Sequence, residues 1–117
     1  MIQPKFGFVV EYVPDIEAAK RFYVEVLGLA MERHHPTFVQ FGSFAIASDQ
    51  SLSGTRDPEM YWLVDDAEAA FGELRPSADV CLPLRQMPFG KVFGVKNPAG
   101  RPCYLLELAR ERPSRPV

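Results

Sequence analysis

Nothing in this sequence runs apolar for the ~20 residues that a membrane-crossing helix requires, so no membrane span is expected. The opening MIQPKFGFVV lacks the basic segment and long apolar core of an export signal, which leads us to expect a cytoplasmic protein. Cysteine is scarce. Cys81 and Cys103 are the two in 117 residues, neither in a CxxC pair, and reduced core thiols are expected rather than a disulfide. An excess of one charge is also missing, with 13 basic residues against 15 acidic for a net of −2. Basic residues are scattered as far as Arg110, Arg112 and Arg115, which read as a solvated, frayed tail. With no basic stripe interleaved with aromatics, nucleic acid is not an expected partner. Histidine is limited to the adjacent His34 and His35.

What is present suits one small domain. Apolar residues make up 47% and charged residues 24% of the chain, enough for a real core in an ordinary globular protein. We expect a single domain over residues 1–117, with units of about 6–48 and 59–109, a linker at 49–58 and a tail at 110–117.

Residues 6–13 alternate loosely and are rich in Phe, Val and Tyr, the pattern of a strand. Pro14-Asp15 ends it. Asp15 is a good N-cap, Glu17 favours the positive end of a helix, and Gly28 is a natural residue just past its end. Ile16, Ala19, Tyr23, Val26 and Leu27 share one face of that helix. Strands are expected at 29–34, 37–41 and 44–48, the last two joined by the two-residue turn Gly42-Ser43.

The order then recurs. A strand at 59–64, a short helix at 66–74, and strands at 79–84, 91–96 and 103–108 follow, with a turn at Asn97-Pro98-Ala99-Gly100. The seven residues from Val13 to Ala19 match the seven from Val64 to Ala70 at five positions. Both copies fall at a strand-to-helix junction, so the match reads as an internal repeat of βαβββ units.

The run VPDIEAAKRFYVEVLGL resembles the opening of vicinal oxygen chelate proteins, the superfamily of glyoxalases, bleomycin-resistance proteins and dioxygenases. The segments MYWLVDDAEAAF and FGKVFGVKNPAGRPCYLLEL resemble its second unit. The resemblance covers roughly residues 6–109. It implies an α+β fold of two βαβββ units whose curved mixed sheets form a cup. It also implies a homodimer in which each cup draws one unit from each chain, consistent with the gain in burial for a small chain with open sheet edges.

The resemblance further implies four metal-ligand positions, on the first and fourth strands of each unit. Seven residues before Asp15 stands Phe8, and seven before Asp66 stands Glu59. Aligning FAIAS with YLLEL sets Ala47 opposite Glu107. Phe8 and Ala47 cannot bind a metal, and two carboxylates without an imidazole make a poor transition-metal site. No metal cofactor is therefore expected. The alternative is a divalent ion on Glu59 and Glu107, serving a lyase, isomerase or dioxygenase, with one of His34 and His35 as a substitute ligand. Adjacent strand residues face opposite ways, so only one histidine can point inward. Otherwise both lie at an exposed strand end.

Period two places Phe6, Phe8, Val10 and Tyr12 on one face, Glu59, Tyr61 and Leu63 on another, and Cys103, Leu105 and Glu107 on a third, with Ala45 and Ala47 leaving room. The expected ligand site is Phe8, Val10, Ala47, Glu59, Tyr61, Cys103, Leu105 and Glu107, suited to an aromatic or cationic small molecule. Ordinary core packing that fills the cup is the competing reading of the apolar members. If Glu59 and Glu107 converge without a metal, one of them should hold its proton more tightly and become a candidate general base. Pairing with Lys91, Arg85 or Arg101, or exposure at the rim, would remove that need.

Overall fold

A computed structural model describes residues 3–109. The Arg110, Arg112 and Arg115 tail lies outside the described residues. The chain forms two compact units, one of residues 6–61 and the other holding Trp62 onward.

In the first unit, β1 (Lys5–Tyr12) leads into α1 (Ile16–Arg21), followed by β2 (Arg33–His35), β3 (Phe38–Phe41) and β4 (Phe44–Ala47). The strand order is β2-β3-β4-β1. β1 runs parallel to β4, while β3 pairs antiparallel with both β2 and β4. Glu59 to Tyr61, the start of β5 (Glu59–Leu63), also belong to this unit.

Asp15 caps α1 as its sequence position predicts, its carboxylate accepting the Glu17 and Ala18 N–H groups at 3.1 Å. The helix continues as a π-helical stretch, Phe22–Val26. Gly28 then takes a φ of 74°, which residues with a side chain rarely adopt. The Leu29 N–H turns back to the Tyr23 carbonyl at 2.9 Å. This closure occupies residues expected to begin a strand, and β2 starts only at Arg33. The side of the sheet toward α1 packs Val39, Phe41 and Ile46 against Ile16, Ala19, Tyr23 and Leu29. Val39 and Ile46 are fully buried, each contributing about 1.5–3 kcal/mol.

The second unit repeats the plan with α2 (Ala67–Leu74), β6 (Val80–Met87), β7 (Gly90–Lys96) and β8 (Pro102–Leu108), in the order β5-β8-β7-β6. Asp66 caps α2 through the Ala69 N–H at 3.1 Å. Ala70, Phe93 and Leu105 form its core, with Trp62, Val64 and Phe71 packed around them. Gly90 has a φ of 146°, and a Cβ there would stand 2.0 Å from the Glu107 carbonyl oxygen, so only glycine fits.

Two hydrogen bonds fix the correspondence between the repeats. The Val13 N–H donates to the Ala47 carbonyl at 2.8 Å, and the Val64 N–H donates to the Leu106 carbonyl at 3.0 Å. Ala47 thus corresponds to Leu106, not to Glu107. Cys81 and Cys103 are both free thiols. Cys81 lies at the surface, contrary to the expectation of two core thiols, and Cys103 is half-buried.

Candidate functional site

Alternation along β1 divides its side chains between two faces. Glu11 faces α1, where it accepts the Tyr23 hydroxyl at 2.6 Å. Phe8, Val10 and Tyr12 therefore point away from the helix. Phe38, Gln40, Ala45 and Ala47 join them, since Val39, Phe41 and Ile46 point toward α1. Phe8 packs against Tyr61, with ring centroids 5.4 Å apart, and against Phe38 at 5.7 Å. This face brings together Phe8, Val10, Ala47, Glu59 and Tyr61 of the expected site, and each is at most 4% exposed.

Glu59 is the buried charge of this group. Its Oε1 accepts the Tyr12 hydroxyl at 2.6 Å and the Tyr61 hydroxyl at 3.1 Å, and its Oε2 accepts the Ser53 backbone N–H at 2.8 Å. Three donors compensate the carboxylate where burial would otherwise penalise it. The Tyr61 phenol is pushed far above its ordinary range, first by burial and then by the neighbouring Tyr12 and Glu59. It stays a neutral donor across the physiological range.

Cys103, Leu105 and Glu107 do share one face of β8, but it is the face packed on α2. Leu105 belongs to the α2 core. Glu107 Oε1 accepts the Ala67 N–H at 2.9 Å, serving the N-terminus of α2. The expectation that these three line a cup is corrected accordingly. The cause is a one-residue slip between FAIAS and YLLEL, which moves every side chain to the other face. Tyr104, Leu105 and Leu106 are all buried, so no polar alternation marked the register. Lys91, one of the expected partners for the acids, pairs instead with Glu68 at 2.8 Å. That bond raises the Lys91 pKa.

The histidines also separate by face. Lys20 Nζ lies 3.1 Å from His34 Nε2, which places His34 toward α1. His35 pairs in register with Phe38 on the other side. Both are exposed. Among the described residues, no three His, Cys, Asp or Glu side chains come together.

Two further residues of this face were not among the expected site. Tyr12 has the right period, but nothing in the sequence showed its hydroxyl reaching a residue 47 positions away. Gln40 is 8% exposed, and its Nε2 donates to the Gly42 carbonyl at 2.8 Å. Its Oε1 is buried without a hydrogen-bond partner among the described residues, a condition that costs about 1–3 kcal/mol. A glutamine on the face of β3 shared with Phe38 was the available signal. Beside Tyr12, a cavity of ≈ 210 Å³ is lined by Asp49, Ser51, Gly54, Thr55 and Arg56.

Residues 5–101 match the family profile of the Glyoxalase/Bleomycin resistance protein/Dioxygenase superfamily. The chain belongs to that superfamily. No curated protein matches it. Among solved structures, a Legionella pneumophila protein described as an NAD-dependent benzaldehyde dehydrogenase superposes with a TM-score of 0.71 at 21% identity, covering 88% of this chain and 99% of that one. A superfamily member from Vibrio splendidus gives 0.63 at 20% identity, covering 92% and 99%. The Mn(II)-bound glyoxalase of Novosphingobium aromaticivorans gives 0.56 at 14% identity, over 97% of this chain and 44% of that one. At these identities the likeness establishes the fold, which hosts more than one chemistry. No described helix is long and apolar enough to cross a membrane.

Proposed function

We propose that this superfamily member binds a small aromatic or cationic ligand without a metal cofactor. The observation that carries the reading is the state of Glu59. Its carboxylate already accepts Tyr12, Tyr61 and Ser53, so a cation would have to displace donors that the fold supplies. The other positions offer no replacement. Phe8 and Ala47 have no lone pair to give, and Glu107 is committed to the Ala67 N–H. Such a set does not fit a transition metal, which needs convergent imidazole, thiolate or carboxylate ligands.

The aromatic character of the same face supports the ligand class. Phe8, Phe38 and Tyr61 form a continuous ring contact, and the half-buried Phe38 is the ring of the three that a ligand can stack on. The cavity beside Tyr12 adds the Asp49 carboxylate, an acceptor for a donor group, with the Arg56 guanidinium in the same lining. Its ≈ 210 Å³ is below the ~300–1,000 Å³ of sites for drug-sized ligands, so the ligand is small. We also propose a two-fold homodimer, supported by the exposed apolar side chains Phe22, Val26, Leu27 and Met31. Sedimentation across a concentration series tests it, and a concentration-independent monomer contradicts it.

The binding reading is tested by NMR titration with indole and with phenyltrimethylammonium, in chelator. Saturable shifts at Phe8, Tyr12 or Tyr61 with either probe support it. Binding that appears only when a divalent metal is added would favour the metal-dependent alternative.

A further inference from the structure

We infer that Gln40 is the hydrogen-bond acceptor of the ligand site, and that the ligand is an aromatic molecule carrying a neutral N–H or O–H donor. The inference rests on the binding function proposed above and narrows it. Gln40 stands in a cross-strand row with Arg33 on one side and Ala45, then Val10, on the other. All four share the face away from α1. The bond from Nε2 to the Gly42 carbonyl fixes which end of the amide is which, so the group left over is the oxygen. That oxygen accepts from nothing among the described residues. Glu59, the other buried acceptor of the face, already holds three donors.

A buried acceptor without a donor is the complement of a ligand donor. The surroundings select the kind. Ala45 and Ala47 project little beyond the sheet, and Phe38 and Phe8 supply aromatic surface next to them. Arg33, on the same face and one strand away, disfavours a cation at this position. An amide oxygen is also poor compensation for a full buried charge, whereas a neutral donor needs one acceptor. A neutral aromatic with one donor meets every term. Arg33 and Phe38 are half-buried, and their side chains are the ones that move to admit it.

The test uses the full chain and an isosteric pair, indole and benzofuran, which differ in one N–H. Dissociation constants are measured by NMR for the wild type and for Gln40→Met. The wild type should bind indole about tenfold more tightly than benzofuran, and Gln40→Met should bind the two equally. The Gln40 side-chain amide signal should shift with indole and not with benzofuran, a readout that holds even if the variant fails to fold. Equal binding by the wild type, or a preference that survives in Gln40→Met, overturns the inference while the binding function stands. If neither compound binds but phenyltrimethylammonium does, the inference also falls alone. If no probe binds, the binding function falls with it.

Discussion

The Tyr12 hydroxyl lies 2.6 Å from Glu59 Oε1, and this bond ties the end of β1 to the start of β5. Tyr61 and Ser53 complete the shell from the same strand and from the preceding loop. Replacing Glu59 with leucine removes the acceptor shared by the Tyr12 and Tyr61 hydroxyls and the Ser53 N–H. The loss should be about 3 kcal/mol or more. Glu59→Gln keeps the shape and gives up the charge, and should cost about 1–2 kcal/mol. Urea unfolding of the two variants checks the order. A Glu59→Leu variant as stable as the wild type would mean that the carboxylate is not the hub of this cluster.

Glu107 is expected to act on α2. Glu107→Ala should lower stability by about 1 kcal/mol, the usual scale for a helix cap. It should leave the binding of indole unchanged. Amide exchange at Ala67 offers the local readout, and a loss of ligand affinity without a loss of protection there would contradict the assignment.

Tyr23 gives a pH dependence with a defined sign. Its hydrogen bond to Glu11, with burial and the Glu11 charge adding to it, raises the phenol from 10.0 to about 12. The folded value lies above the unfolded one. The contribution is therefore complete below pH 10.0 and disappears as the pH rises through about 12. The difference in stability between wild type and Tyr23→Phe should be constant near neutrality and shrink across that window. A difference that grows with pH would reverse the sign and exclude this account.

The repeat, the Asp15 N-cap and nearly every strand were legible in the sequence, because Asp15 and Asp66 sit at matched strand-to-helix junctions. The late start of β2 was not legible, since Leu29 reads as a strand residue but its N–H closes the helix onto Tyr23. On the candidate site, the faces of β1 and β5 were readable because the polar Glu11 and the bulky Phe8, Tyr12 and Tyr61 fall in period two. β8 was not, because three successive buried residues hide which face is which. The partners of Glu59 depend on contacts across 47 positions, which no local pattern encodes.

Glu59 accepts the hydroxyls of two tyrosines, and we propose that it holds no metal. Elemental analysis of protein purified without chelator or an affinity-tag metal tests it most directly, followed by titration with zinc, nickel, manganese and iron(II). No stoichiometric metal is expected, and the titrations should leave the Tyr12 and Tyr61 ring signals unmoved. Near one metal per chain, lost on Glu59→Ala, would contradict it.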